Sequence, residues 1–406
     1  MQVVKRDGTV VDWHFHKISS AVEKAMSRSE TNYYISPKYI EDLVELFFLR
    51  KGDKVVAVDD IHKKVEDTLM QEGLYDVARE YITYRKKHMP DIFRQRTEYR
   101  PYEYPQLAEY VQAINHSYWL FTHYNYNSDI QDIKVNMPAD KAEMAIRCIL
   151  AISQIEVSVK KFWANIGNFF PKPEIEEVAA TFADSEVRHA QAYSNLLQIM
   201  NLNKRFAELK DVPAIQARIK YLQEANTRPI DKEDFFKNVI LFSMFIENVS
   251  LFSQFYLLLK LNRDDKFLKG TSNAILATSK EEVIHASFGF DLINTIKKER
   301  PEWWTKDLVD SVQKEAGKAL MAELDVLHWL VNEDKELYNE VTGFVIKRMN
   351  ESLKAIGIGP IVIEDNLYDY EWFYVLTESR AAIDFFDSKD PSYTKGDKSV
   401  TADDLF

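Results

Sequence analysis

Along most of this chain apolar residues recur every three or four positions, the period of an amphipathic helix rather than the alternation of a strand. The pattern predicts helices at about 16–27, 37–50, 59–72 and 75–88. It predicts further helices at about 140–169, 174–202, 213–224, 231–260, 264–298, 303–331 and 334–355. Residues 1–13 depart from it: Val3 and Val4 lead into Asp7-Gly8, a favoured tight-turn pair, and Val10 and Val11 lead out, which predicts a β-hairpin. Ser36 ahead of Pro37 is a candidate helix cap, and Asp59 or Asp60 could open the following helix. Pro90 closes this first unit. Residues 95–110, rich in proline and tyrosine, read as a connector, and a larger helical unit runs from about 105 to 386. There is no internal repeat. From Asp387 a polar tail follows, expected to be disordered in isolation, and it closes with Asp403-Asp404-Leu405-Phe406.

Length and composition sharpen this division. With 406 residues, 46% of them hydrophobic, the chain is too long for one ordinary core and can fill two. Net charge is −12, unevenly spread: residues 1–95 hold 16 Lys/Arg and 16 Asp/Glu, and residues 96–406 hold 36 against 48. The shift supports a boundary near residue 95 and argues against non-specific nucleic-acid binding by the larger part. No uninterrupted apolar run reads as long enough to cross a bilayer, and MQVVKRDG lacks an apolar signal core, so a soluble cytoplasmic protein without a membrane partner is expected. Cys148 is the only cysteine, which excludes a disulfide framework, a thiolate metal cluster and a redox dithiol within the chain.

The candidate chemistry lies in the larger unit. Two Glu-x-x-His pairs, Glu186/His189 and Glu282/His285, sit in strongly helical stretches, where a residue and its third successor are surface neighbours and can grip one ion together. Glu156 and Glu247 lie in apolar helical stretches, and Phe, Leu, Ile and Met flank Glu247. A carboxylate in such surroundings is costly to bury unless neutralised. Two divalent cations would balance four carboxylates, with neutral imidazoles completing the set, as in dinuclear sites of ferritin-like bundles. One histidine per ion and many oxygens suit iron or manganese better than zinc. A single Glu-x-x-His is common and usually exposed; the order Glu, Glu-x-x-His, Glu, Glu-x-x-His carries the inference. His116, His123 and His328 read instead as satisfied or surface histidines.

On Glu156, SEVRHAQAY (185–193), Glu247 with Phe255, and KEEVIH (280–285), residues 105–406 resemble the small, radical-generating subunit of class I ribonucleotide reductase. The resemblance implies that Glu156, Glu186 and His189 hold one ion and Glu247, Glu282 and His285 the other; many members have aspartate at the first position. Tyr193, four residues after His189, matches the oxidisable tyrosine of many members; the alternative is an ordinary buried, hydrogen-bonded tyrosine. Leu251 and Thr278 stand where the family usually has bulky residues around that tyrosine. Lys160 lies one turn after Glu156, where its ammonium could reach a ligand carboxylate. These departures resemble a branch that keeps its oxidising equivalent on a dimanganese centre, so manganese is expected, with di-iron or Mn/Fe as alternatives. Ribonucleotide reduction needs a thiyl radical and a reducing dithiol, and one cysteine cannot supply them. The resemblance therefore places the substrate on a separate large catalytic subunit. It implies a relay of Trp119, of Glu281 as an acidic link between Trp119 and His189, and of Tyr393 between subunits. Core packing, a surface acid and a linker residue are the plainer roles for these three. Leu405-Phe406 would anchor the tail in a groove of the partner.

In residues 1 to about 90, VVKRDGTV, HFHKISSAVEKA, DDIHKKV and YRKKH together resemble the ATP-cone, a small nucleotide-sensing domain of ribonucleotide reductases. The matched positions are Val3, Lys5, Arg6, Lys17, His62 and Lys86, whose cations would surround a triphosphate. No P-loop pattern occurs, so sensing rather than hydrolysis is expected. A cone on this chain implies that dATP acts here, promoting a larger, tetrameric and inactive assembly of the homodimer, with ATP opposing it. The expectation is thus a mainly α protein: a ferritin-like bundle preceded by a small α+β cone of one hairpin and four helices. Its expected role is that of small subunit of ribonucleoside-diphosphate reductase. The rivals are a ferritin-like ligand-binding oxidase acting on its own substrate, and a metal store or nucleotide-responsive regulator. Neither rival needs a relay tail.

Overall fold

A computed structural model of the chain describes residues 1–4, 10–29, 34–88, 90–156, 159–225, 229–331, 333–363 and 367–377. Contacts divide it into one unit of residues 1–91 with 103–105, and another of 92–102 with 106–406.

In the smaller unit β1 (Gln2–Val4) pairs antiparallel with β2 (Val10–Asp12), Val3 facing Val11. The expected tight turn, with Lys5 and Arg6, falls outside the described residues. Four helices follow: α1 (His16–Met26), α2 (Pro37–Lys51), α3 (Val58–Gln71) and α4 (Tyr75–His88). The hairpin is not the whole sheet. β3 (Val55–Ala57) runs parallel to β1, Val56 opposite Val3, giving the order β2-β1-β3. A three-residue strand wedged between two helices is too short to show a period of two, which is why periodicity passes over it. Val3, Trp13, Val22, Val44, Phe48, Val56, Val65, Leu69 and Val77 fill one core between sheet and helices. Ser36 accepts from Tyr39 N, as its position before Pro37 predicts, and Gly52 closes α2 at φ +78°, a left-handed conformation that glycine takes without strain. Neither Asp59 nor Asp60 caps α3. The helix starts at Val58, so both aspartates fall in its first turn, where they face the positive end of the dipole.

In the larger unit α5 (Pro105–His116) precedes a loop that carries Trp119, then α6 (Asn127–Gln131), which runs into a π-turn at Asp132–Asn136. The helices that build the core are α7 (Ala139–Ile155), α8 (Lys160–Ile166), α9 (Pro173–Ile199), α10 (Asn203–Glu208) and α11 (Pro213–Ala225). Next come α12 (Lys232–Leu241), a π-helical segment (Phe242–Ser250) and α13 (Phe252–Asp265). Then follow α14 (Lys269–Glu299), α15 (Lys306–Val331), α16 (Lys335–Ala355) and α17 (Glu371–Thr377). α9 packs on α7 and α8, while α14 packs on α13 and the π segment.

Two predicted helices differ in ways that matter. The helix expected over 140–169 stops at Ile155, with Glu156 at its C-terminal cap, and resumes at Lys160. The stretch Lys232–Asp265 is one long helical run with a π insertion. It is also long and apolar enough to cross a membrane by length and composition, contrary to the expectation above. Since 89% of its most apolar window is buried inside the protein, it reads as a core helix. The turn into α14 is tight: Lys266 and Leu268 have φ of 65° and 57°. Buried Asp129 and Asp132 hold the start of α14 by accepting from Gly270 N (3.1 Å) and Leu268 N (3.0 Å). The helix that carries three of the candidate site residues is thereby fixed at its origin.

Candidate metal centre

Four elements bring the six predicted ligand residues together. Glu156 comes from the end of α7, Glu186 and His189 from α9, Glu247 from the π segment, and Glu282 and His285 from α14. All six are at most 2% exposed. In α9 and α14 the Glu-x-x-His spacing puts both side chains on the buried stripe. Glu247 reaches the interior from a segment whose Phe242, Met244, Phe245, Ile246 and Val249 are all buried as well.

The ligand atoms fall into two overlapping sets, each with its atoms within 4.8 Å of one another: Glu156, Glu186, His189 and Glu282; and Glu186, Glu247, Glu282 and His285. Glu186 and Glu282 belong to both, so the two halves implied by resemblance share a pair of carboxylates. His189 Nδ1 lies 3.1 Å from Glu282 Oε1 and 3.6 Å from Glu186 Oε2. His285 Nδ1 lies 3.0 Å from Glu186 Oε1, 3.2 Å from Glu282 Oε2 and 3.5 Å from Glu247 Oε2.

The cluster fits two cations. Both carboxylate oxygens of Glu156 and of Glu186, one each of Glu247 and Glu282, and His189 Nδ1 are buried without a hydrogen-bond partner. Buried polar atoms are nearly always paired, and so dense a group of orphans facing one another is a donor set that a metal would satisfy. The proton affinities report the same crowding. Burial pushes the Glu156 carboxyl well above its ordinary range, with His189 opposing and Glu186 and Glu282 adding. Burial and the Glu282 charge push Glu247 up, while the proton it shares with Glu282 holds Glu282 low against its own burial. Burial would lower both histidines, yet the facing carboxylates raise them well above their ordinary value.

A shell of donors orients the set. Trp163 Nε1 donates to Glu247 Oε1 (2.9 Å). Glu281 Oε2 accepts from His189 Nε2 (2.7 Å) and Ser185 Oγ (2.8 Å); its Oε1 accepts from Arg188 Nη1 (3.0 Å) and Ser117 Oγ (3.2 Å). Burial raises the Glu281 carboxyl, but His189 and Arg188 outweigh it and hold it below the ordinary value. An ionised carboxylate only accepts, so His189 carries a proton on Nε2 and turns Nδ1 to the cluster. Trp163, Ser185 and Arg188 were not picked out from the sequence. Ser185 and Arg188 stand inside the SEVRHAQAY motif itself, the signal that could have marked them, whereas Trp163 looks like ordinary core.

The remaining predicted residues fall as follows. Trp119 is 3% exposed and stacks on His189, ring centroids 5.9 Å apart and planes 25° apart. It does not reach Glu281 by hydrogen bond: its Nε1 has no partner, so the expected acid link between Trp119 and His189 is made only on the histidine side. Lys160 Nζ donates to the backbone carbonyl of Glu156 (3.2 Å), not to the carboxylate. Tyr193 is buried and donates to Thr278 Oγ1 (3.1 Å). Leu251 is buried as well. His116, His123 and His328 are exposed, as expected. Tyr393, Leu405 and Phe406 lie outside the described residues. In the smaller unit Val3 is buried in the core, Lys17 on α1 and Lys86 on α4 are exposed, and His62 on α3 pairs through Nδ1 with Tyr81 OH (2.9 Å).

Comparison with known proteins bears on both units. Residues 96–365 match the family model described as ribonucleotide reductase, small chain, and residues 1–90 match the ATP cone domain. A protein of Invertebrate iridescent virus 3, named a probable ribonucleoside-diphosphate reductase small subunit, is 22% identical over 334 residues, covering 77% of this chain and 87% of the relative. The ribonucleotide reductase R2 subunit from Clostridium botulinum superposes with a TM-score of 0.62 at 16% identity, over 70% of this chain and 91% of that one. An R2-like ligand-binding oxidase with a reconstituted Mn/Fe cofactor gives 0.53 at 17% identity, over 64% and 94%. The larger unit therefore has the mainly helical, ferritin-like fold expected of it, with a small unit of strands and helices ahead of it.

Proposed function

This chain belongs to the ribonucleotide reductase small-chain family, and we propose that its six-residue cluster holds a dinuclear metal oxidant whose oxidising equivalent is exported to a large catalytic subunit. The family works as a ribonucleoside-diphosphate reductase together with such a subunit. The observation that carries the proposal is the set of facing, partnerless buried ligand atoms from four helical elements. Glu156, Glu186, His189 and Glu282 would hold one ion, and Glu186, Glu247, Glu282 and His285 the other. The bound pair would supply the one-electron oxidising power that no side chain here provides. Manganese is the metal we favour, with di-iron or Mn/Fe as the alternatives. The hydroxyl of Tyr193 is already engaged by Thr278, which supports an oxidant kept on the metals.

The protein's own part is to hold, orient and shield. Glu281 fixes the ring and tautomer of His189, and Arg188 and the two serines fix Glu281. Stacking of Trp119 on His189 provides the way out, continued by Tyr393 in the tail. Leu405 and Phe406 would dock that tail on the large subunit. Lys160, tied to the Glu156 carbonyl, places a positive charge beside the first ligand.

In the cone, Val3, Lys5, Arg6, Lys17, His62 and Lys86 would bind ATP or dATP. Binding of dATP would favour a tetrameric, inactive assembly of the homodimer, and ATP would oppose it, which requires that dATP bind the inhibited assembly more tightly. The rival oxidase reading leaves the cone without a role. The test is metal analysis with electron paramagnetic resonance on protein matured with manganese, iron or both, coupled to reductase assays with the large subunit. Manganese-matured protein should be active without a tyrosyl signal. Activity confined to iron-matured protein carrying that signal would overturn the manganese assignment. Failure to bind either metal would overturn the centre itself.

A further inference from the structure

A second buried polar network, which none of the roles above employs, joins α7, α11, α13, α15 and the π segment that carries Glu247. Arg218 on α11 is 0% exposed and Glu323 on α15 is 1% exposed. Arg218 Nη2 donates to Ala151 O of α7 (2.6 Å), its Nη1 donates to Gln254 Oε1 of α13 (3.3 Å), and the same atom lies 3.8 Å from Glu323 Oε2. Tyr221 OH is hydrogen-bonded to Ser250 Oγ and lies 2.9 Å from Glu323 Oε1; since Ser250 gives its single proton to Phe245 O, Tyr221 donates to Ser250 and the buried Glu323 carboxyl, whose proton affinity burial raises, donates to Tyr221. Ser250 Oγ donates to Phe245 O (2.8 Å).

That last bond explains what the network is for. Ser250 ends the π-helical segment, and Phe245 lies five residues earlier. In a π-helix the hydrogen-bond step lengthens from four residues to five, a register that is rare and found mostly at functional sites. The Ser250 side chain makes a bond of that same step. The opposite flank is held in a similar way. Arg348 Nε donates to Asn248 O (2.7 Å), and Ser352 Oγ donates to Met244 O (3.3 Å). Glu247 thus sits between carbonyls at 244, 245 and 248 that are all secured by side chains.

We propose that Tyr221, backed by Glu323 and Arg218, is a positioning residue for the metal centre: it holds Ser250, Ser250 holds the π register, and the register aims Glu247 at the ions. Among the described residues, none of the three forms a hydrogen bond or ion pair with a proposed ligand side chain. The inference rests on the ligand role of Glu247 proposed above.

The test uses the full-length protein and manganese titration by calorimetry with metal analysis. Tyr221→Phe removes one hydroxyl and keeps the ring. It should weaken one of the two manganese equivalents by about 10-fold or more and alter the electron paramagnetic resonance signal of the loaded pair, as loss of outer-shell partners commonly does. Tyr256→Phe is the control, since Tyr256 also pairs its hydroxyl with a carboxylate, Glu340. It should leave both equivalents and the signal unchanged. Glu323→Gln, whose amide can still donate to Tyr221, should fall between the two. Should Tyr221→Phe melt far below the control before metal is added, Ser250→Ala decides, with the same expected loss. Glu247→Gln separates the two levels: if it leaves both equivalents intact, the ligand assignment fails. If it weakens one equivalent while Tyr221→Phe and Ser250→Ala bind and resonate like the parent, positioning alone is overturned.

Discussion

Loading the apo protein with manganese should release protons, and the affinity should climb steeply with pH. Four of the six ligand groups bind protons more tightly in the folded apo chain than in the unfolded one: Glu156 and Glu247, against an ordinary 4.5, and His189 and His285, against 6.5. Their contribution to apo stability is complete below those ordinary values and is lost as pH rises through the raised folded values. Glu281 and Glu282 act in the opposite sense, stabilising above 4.5 and losing that contribution as pH falls through their depressed values. Ligation requires bare imidazole nitrogens and carboxylates, so ions must displace the protons. The four groups with raised proton affinity can carry at most about four protons per chain, two on the imidazoles and two on the carboxyls. Each displaced proton is worth about 10-fold, or about 1.4 kcal/mol, per pH unit, so the overall two-ion constant should rise by about 10-fold per unit for every proton released, up to roughly 10,000-fold. Calorimetric titration in buffers of different ionisation enthalpy, from about pH 6 to pH 7.5, counts the protons directly. Fewer than about one proton released, with flat affinity, would show that the cluster is not the proton-loaded cage described here.

Trp163→Phe leaves Glu247 Oε1 without its donor and should weaken manganese binding by about 10- to 100-fold, read by titration, with no loss of helicity. His285→Ala should remove one metal equivalent; retention of both in metal analysis would reject its ligand role. Gly289→Ala should destabilise the fold by about 1–3 kcal/mol in denaturant melts, because a Cβ there would collide with Ser243 of the π segment; a neutral effect would mean that α14 and the π segment can separate. Removal of residues 1–95 should preserve reductase activity with the large subunit and erase dATP inhibition, and persistent inhibition would place the sensor on the partner. Deletion of the last few residues should weaken large-subunit binding in pull-down or surface-plasmon measurements, and unchanged affinity would reject docking through Leu405 and Phe406.

The six side chains that the structure brings together were legible because the metal chemistry proposed for them leaves a periodic trace. Glu186/His189 and Glu282/His285 carry the three-residue helical step, and a glutamate such as Glu247 among Phe, Met and Ile has no reason to be buried alone. What escaped were features with no period. β3 is three residues long. The π segment inserts its extra residue without breaking the apolar run, so 231–260 reads as plain helix. The sharing of Glu186 and Glu282 between both sets depends on how α9 and α14 pack, a distance that spacing within either helix does not contain. Trp163 and Arg188 look, respectively, like core and like solvated charge, and only their partners reveal otherwise.

The engagement of Glu281 limits what that residue can do. An ionised carboxylate has about four lone-pair positions. His189, Ser185, Ser117 and Arg188 fill them, and Trp119 Nε1, although buried nearby, is left out. A carboxylate so occupied, and held low by His189 and Arg188, is a poor acceptor for a proton from the indole. In the relay proposed above, communication between Trp119 and His189 would therefore fall to the ring stack, whose 5.9 Å separation needs no acid between them. Arg188 ties the two together mechanically as well, since the Nη1 that holds Glu281 also donates to the Trp119 carbonyl at 3.2 Å. Glu281 is thus a brace for the histidine, and the stacking of Trp119 on His189 is held by the same guanidinium that holds the brace.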